Sequence, residues 1–295
     1  MHDLPEYALF CGWCTAGKSP CPVCRNQLEF LWLKSGRKYV AFDKHRQFLE
    51  GSHPYREDQK NFTKGIVVRE EKAIPKFDGA KGDAELRALV PAEGSIRKFE
   101  GYGVTHNWTH VAGLTQLEYY KDLELPHNID VMHTEKNVGE MIFHTVLNIP
   151  KKTKDNVKAR VDVQKLCDRE RLHMKPPNPR QKNWFKPNAD YCLDNIQKKE
   201  AFKWLKNIAV MFPDGYCSNI SNGVNLLTGK VTGLKSHDYH IWIERLMPVM
   251  LRGYLPDSIW RVVAELSHFF RTLCAKQICP LIIAKLRDLV SAHTP

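Results

Sequence analysis

The apolar residues of this 295-residue chain follow different periods in different stretches, and the changes mark its organisation. Phe30-Leu-Trp-Leu33 and Lys38-Tyr-Val-Ala-Phe42 are short apolar runs joined by Ser35-Gly36, which predicts a pair of strands. Residues 70–110 lose that pattern. Gly79, Gly82, Gly94, Gly101 and Gly103 among charged residues predict a loop-rich insertion around one short helix, Asp83–Val90. Order returns over 111–149, where Leu125 to Ile129 reads as extended and a helix follows from about Val131 to Asn148. Projected at about 100° per residue, Val131, Val138, Ile142 and Val146 share one arc, with His133, Lys136, Glu140 and His144 opposite. Glu135 falls inside the apolar arc. A carboxylate there is costly unless it is paired, hydrogen-bonded or bound to a cation.

Lys175-Pro-Pro-Asn-Pro179 reads as a linker, and the chain beyond it is helical. Ile259, Val262, Val263, Leu266, Phe269, Phe270 and Leu273 form one helix face, with Asp257 or Ser258 as cap. Pro280 opens another apolar run, Leu281 to Val290. Pro248 is expected to kink or divide the helix from His240 to Tyr254. The expected fold class is mixed α/β with a mostly helical C-terminal region. Its parts are residues 1–149, a basic stretch 150–212, and a helical part 213–295.

Charge changes this picture. The net charge is +11, and residues 151–206 hold 16 Lys or Arg against 7 Asp or Glu, a net of +9. Lys151, Lys152, Lys154, Lys158, Arg160, Lys182 and Lys186 are interleaved with Trp184, Phe185, Tyr191, Phe202 and Trp204. Cations for phosphates with rings for stacking suit a nucleic-acid groove, and the alternative is a solvated, Lys-rich connector. No apolar run approaches the ~20 residues that cross a bilayer, so no membrane association is expected. Asp3, Glu6 and Pro5 interrupt any signal-peptide pattern. Nine cysteines without a secretory pattern point to free thiols or metal ligands in a reducing, intracellular compartment.

The candidate chemistry is sparse and polar. Asp3-Leu-Pro-Glu-Tyr precedes Cys11-Gly-Trp-Cys14 and Cys21-Pro-Val-Cys24; Phe42-Asp43-Lys44-His45-Arg46 and Leu125-Pro-His-Asn-Ile-Asp130-Val-Met-His133-Thr-Glu-Lys-Asn137 follow. Acids spread along an α/β core with a Cys-x-x-Cys between them suit a metal-dependent phosphoryl-transfer site with a zinc-stabilised insertion. Asp130 is either a helix cap or a strand-end acid able to share a divalent ion with Asp3. Zinc has two possible ligand sets: Cys11, Cys14, Cys21 and Cys24, or Cys21, Cys24, His45 and His53. His237 and His240, flanking Asp238, have two readings: metal ligands, or a polar turn before a helix, which is the preferred one.

The order and wording of these segments resemble the transposases of plant CACTA (En/Spm-type) DNA transposons. The resemblance diverges near residues 70–110 and resumes at Pro213-Asp-Gly-Tyr-Cys-Ser-Asn-Ile220, Gly233-Leu-Lys-Ser-His-Asp238, Leu246-Met-Pro-Val-Met-Leu-Arg-Gly253 and Glu265-Leu-Ser-His-Phe-Phe-Arg271. It implies a partial ribonuclease-H-like core with a Cys/His insertion, in which acids hold Mg²⁺ or Mn²⁺ for DNA strand cleavage and joining. It likens Asp3 to one acid of that set, and Ile129-Asp-Val-Met-His133 carries the family's Asp-x-x-His pattern at Asp130. Glu135 is expected to complete the set. For zinc the resemblance favours Cys21, Cys24, His45 and His53, because family members commonly have Ser where Cys11 and Cys14 stand. The implied partners are double-stranded DNA at transposon ends and a second copy or another element-encoded protein, in the nucleus. A typical member carries a further Asp upstream, in a Ser-Asp-Gly-Phe-Asn-Pro-like segment, before the part that matches Asp3. The expectation is therefore a truncated, inactive transposase-derived product. The alternative is a non-catalytic, domesticated, zinc-stabilised DNA-binding protein. The C-terminal part looks like the start of a conserved downstream domain of unknown role.

Overall fold

A computed structural model describes residues 3–27, 30–40, 46–64, 67–68, 70–73, 76, 78–94, 99–123, 130–179, 182–212 and 218–291. The chain forms two compact units, residues 1–130 with 165–168, and residues 131–164 with 169–295. The division falls just before the helix that carries Glu135, where the sequence pattern placed a boundary at 149.

The first unit is short elements pinned by side chains. Helix α1 (Leu4–Cys11) starts at Asp3, whose carboxylate accepts from the Glu6 amide at 2.9 Å, with Pro5 in its first turn. It stops at Gly12, where φ is +73° and a methyl group would meet His110 O at 2.1 Å, so only glycine fits. Next to it Trp13 and Trp108 meet edge to face at 5.2 Å, with the Arg25 guanidinium over both rings. Asn107 Nδ2 donates to the carbonyls of Cys14, Ala16 and Ser19, which ties the cysteine-rich loop to a segment some ninety residues away. Strands β1 (Leu31–Leu33) and β2 (Lys38–Val40) form the expected antiparallel hairpin, with Leu31 opposite Val40. The short helix of the glycine-rich stretch, α2 (Gly79–Arg87), begins earlier than its apolar residues suggest, because Asp78 caps it at the Lys81 amide.

The second unit is helical. Its elements are α3 (Val131–Val146), α4 (Val157–Leu166, whose last two residues group with the first unit), α5 (Asn195–Asn207), α6 (Ile220–Gly223), the hairpin β3 (Val224–Asn225) and β4 (Lys230–Val231), α7 (Ser236–Ile241), a π-helical turn (Trp242–Leu246), α8 (Met247–Leu251), α9 (Asp257–Leu273) and α10 (Pro280–Ser291). The two hairpins are the only sheets among the described residues. Phe143, Leu147, Phe202, Leu205, Trp242 and Met247 centre one continuous core, in which Phe143 and Trp242 meet edge to face at 4.9 Å. Along α3 the buried positions are Glu135, Gly139, Phe143 and Val146, so the buried face keeps Glu135 and Val146 of the expected arc but is turned away from Val131, Val138 and Ile142, which are half-buried. His144, expected to face solvent, is buried on the other side, and burial lowers its pKa.

The helix through Pro248 divides as expected, and the neighbouring helix mends the break. Pro248 has no N–H to give to the carbonyl of Glu244 four residues earlier. Ser267 Oγ, buried on α9, donates to that carbonyl at 3.0 Å, and Trp260 Nε1 donates to the Pro248 carbonyl at 2.8 Å. This explains why a serine occupies a buried position of the α9 face, while Val262, counted in the apolar stripe, is exposed. Neither Asp257 nor Ser258 caps α9; Pro256 stands at the cap without a side-chain bond.

The basic stretch is sorted by burial. Lys151, Lys152, Lys154, Lys158 and Lys182 are exposed. Arg160, expected to bind DNA, is fully buried: its guanidinium grips both oxygens of buried Asp155 and donates to the Leu172 and Pro187 carbonyls. Lys186 donates to the same carboxylate at 3.1 Å and to the Asp155 carbonyl at 2.9 Å. Both cations are held by one buried acid, and Arg160, fully buried, is out of reach of a phosphate. The expected linker opens a loop in which Lys175 and Phe185 exchange both backbone hydrogen bonds.

Three substitutions test these contacts by stability. Phe143→Ala should cost ~3–5 kcal/mol through the cavity it leaves, and Ser267→Ala ~1–3 kcal/mol by orphaning the Glu244 carbonyl. Denaturant titration should rank them in that order. Burial alone would raise the Asp155 pKa, but Arg160 and Lys186 outweigh it and hold the group below the usual carboxylate range. Its contribution is therefore complete above the unfolded value of about 3.9 and is lost as pH falls through the lower folded value. Asp155→Asn should cost ~3–5 kcal/mol at neutral pH by stranding buried Arg160. It should also flatten the acid limb of the stability curve below about pH 4, read by unfolding midpoints across pH.

Candidate functional site

Three segments of the second unit converge on one polar point in an apolar surround. Glu135 lies on α3, one turn before Gly139. A methyl at Gly139 would already meet Tyr239, Trp242 and Ile243 at ordinary contact distance. That close approach brings the Glu135 carboxylate, 0% exposed, against His240 at the end of α7. His240 Nδ1 lies 2.5 Å from Glu135 Oε2, and its Nε2 lies 3.6 Å from Glu244 Oε2, four residues further on. Cys274, which ends α9, brings its Sγ to 3.9 Å from Glu135 Oε2. One ligand atom from each of Glu135, His240, Glu244 and Cys274 lies within 4.8 Å of the other three.

The electrostatics of the cluster are unbalanced. Burial pushes the Glu135 carboxyl up, His240 pulls it back, and the neighbouring Glu244 adds to the rise. Burial first, and then the two carboxylates, raise the Cys274 thiol to about 12. Oε1 of Glu135 and Oε1 of Glu244 are buried without a hydrogen-bond partner. Among the described residues neither carboxylate pairs with a Lys or Arg.

The other expected residues fall elsewhere. Asp3 caps α1 and Asp130 stands immediately before α3, both in the first unit, while Glu135 belongs to the second. Neither Asp3 nor Asp130 joins a group of three or more ligand side chains among the described residues. The three acids expected to share Mg²⁺ or Mn²⁺ are thus divided between the two units, and Glu135 gathers a different set of neighbours in its own. Leu125 to Ile129 and His45 lie outside the described residues. Cys21 Sγ accepts from the Cys24 amide at 3.3 Å; its hydrogen bond to the Cys24 thiol, with burial, keeps that thiol protonated. His53 Nδ1 accepts from the Tyr55 amide at 3.2 Å. Among the described residues Cys11, Cys14, Cys21 and Cys24 do not gather within reach of one ion.

Sequence reasoning found Glu135 and missed its company. In the sequence His240 reads first as a turn residue and only second as a ligand, and Glu244 and Cys274 carry no local signal of their own. The available signal was His240-x-x-x-Glu244, two polar side chains on one helical face inside the apolar run Ile241 to Met247.

Residues 1–80 match the family model described as transposase family tnp2. No curated protein and no solved structure matches the chain. No helix among the described residues is long and apolar enough to cross a membrane. The matched stretch contains Asp3, Cys21, Cys24, His45 and His53. Asp130, Glu135 and the basic stretch lie beyond it. Over its first 80 residues this chain is similar to tnp2 transposases, which supports a transposase family as its source.

Proposed function

We propose that this is a transposase-derived protein of a CACTA-type (En/Spm) element that binds double-stranded DNA, such as transposon ends, through its exposed lysines. The observation that carries this reading is the match of residues 1–80 to the tnp2 transposases. The surface of the second unit agrees with it. Lys151, Lys152, Lys154, Lys158 and Lys182 are exposed, and Trp184 is exposed beside them in sequence. Lysines that neutralise phosphates release counterions, and a ring offers stacking, so the interface suits backbone contact more than base reading. In the intact family, as the resemblance has it, a ribonuclease-H-like core cuts and joins strands with Mg²⁺ or Mn²⁺. For this chain the proposal is DNA binding, which the exposed lysines support, and cleavage is a separate activity that the test below distinguishes.

The chain should bind duplex DNA with little sequence preference and steep salt dependence. Each phosphate contact contributes about 0.9 to the slope of log K against log salt. Lys151→Glu, Lys152→Glu and Lys154→Glu together should weaken binding to all sequences alike and lower that slope. An affinity indifferent to salt between about 50 and 200 mM would rule the surface out. Arg160→Lys, at a buried site, should lower stability and leave the salt slope unchanged.

With Mg²⁺ or Mn²⁺ present, the chain should bind transposon-end DNA and leave it uncut. Cleavage that disappears in Asp130→Asn would replace the binding reading with a nuclease and place Asp130 in its mechanism.

A further inference from the structure

We propose that Glu135, His240, Glu244 and Cys274 form a four-ligand site for a transition-metal cation of the Zn²⁺ class. The donors are two carboxylates, one imidazole and one thiol, with ligand atoms all within 4.8 Å of one another, a separation that a single cation can span. Mixed nitrogen, oxygen and sulfur sets of four protein ligands suit tetrahedral zinc. Mg²⁺ and Ca²⁺ prefer six or more oxygens, and a thiol is a poor ligand for either.

The second observation is the cost of the cluster without a cation. Two carboxylates, Glu135 wholly buried and Glu244 nearly so, each hold a buried oxygen that nothing donates to. Among the described residues the only basic group beside either of them is His240, and the Cys274 thiol donates to the same Glu135 oxygen that His240 meets, so both idle oxygens stay without a partner. A buried carboxylate oxygen that no donor reaches is costly to a core. A dication removes the mutual repulsion of the carboxylates and gives their idle oxygens a partner. His240 is 24% exposed at its side chain, so the cluster is reachable from solvent.

The ligands come from α3, from α7 with the π-helical turn that continues it, and from the end of α9, more than a hundred residues apart at the extremes. A cation here would clamp the second unit. The site is independent of the DNA reading and of the Cys21 and Cys24 set, which lies in the first unit. It also assigns Glu135 to a different ion from the one the resemblance implies.

The test uses the full chain carrying Cys21→Ser and Cys24→Ser, stripped of metal and titrated with Zn²⁺ and, separately, Co²⁺. This parent should take up one equivalent of Zn²⁺ and unfold at a higher temperature when loaded. Its Co²⁺ form should show the visible bands of a tetrahedral ion and a near-ultraviolet sulfur-to-cobalt band. Cys274→Ser should abolish the sulfur band, while Cys279→Ser should keep it. Glu135→Gln, at a direct ligand, should weaken Zn²⁺ binding by at least about 100-fold, because even outer-shell partners cost ~10–100-fold. Circular dichroism confirms that each variant folds. No Zn²⁺ uptake by the parent would overturn the proposal. So would a cobalt spectrum without a sulfur band, or a band that survives Cys274→Ser, even if Glu135→Gln fails to fold. DNA binding measured on the same parent fails or succeeds separately.

Discussion

The second unit is organised around a carboxylate that has no business in a hydrophobic core. Glu135 occupies a position of α3 whose neighbours one and two turns on, Gly139 and Phe143, pack into apolar surroundings. His240 comes to meet one of its oxygens, and that contact fixes how α3 and α7 dock. The small residue at Gly139 lets the two backbones come close enough for the bond to form. The polar contact and the packing of Phe143 on Trp242 thus depend on the same approach.

The turn that follows carries the constraint to a third helix. The π-helical turn from Trp242 to Leu246 keeps His240 and Glu244 on one side and gives Trp242, Ile243 and Leu246 to the core. A wider turn of this kind is rarely the most stable local choice and is common at functional sites. Pro248 ends it, and the carbonyl that Pro248 cannot serve is bonded by Ser267. Ser267 lies two turns before Cys274 on α9, so the bond that repairs the break also sets where the thiol arrives.

What the sequence made legible was local. The hairpin at 31–40, the division at Pro248, the apolar face of α9 and the buried place of Glu135 all follow from spacing within a dozen residues. What it hid depended on distance along the chain. Nothing near Glu135 announces a histidine 105 residues later or a cysteine 139 residues later. Nothing near Cys14 announces Asn107. The basic stretch misled for a related reason, since a charge count weights Arg160 and Lys158 equally although a buried acid claims the first. Asp155 lies among lysines, where it reads as dilution of positive charge. In the fold it removes two cations from the surface and uses them to hold residues 155 to 187 together.

The two features of the second unit with a functional claim are joined by α3. Glu135 lies in its second turn, and its C-terminal end leads through Ile149, which accepts from the Lys152 and Thr153 amides, into the exposed lysines 151, 152 and 154. Lys151 takes a left-handed conformation, with φ at 67°, to make that turn. Cations just past a helix C-terminus are favoured by the partial negative charge of its last carbonyls. They also sit close enough to buried His144 for Lys152 and Lys154 to help lower its pKa, after burial itself. Whatever holds the buried end of α3 in register therefore also holds the base of its lysine-bearing turn. A rigid helix 16 residues long transmits that placement without any rearrangement between its ends. The charge on the surface and the charge in the core are in this sense one design, because the same helix needs a partner for its acid before it can present its lysines.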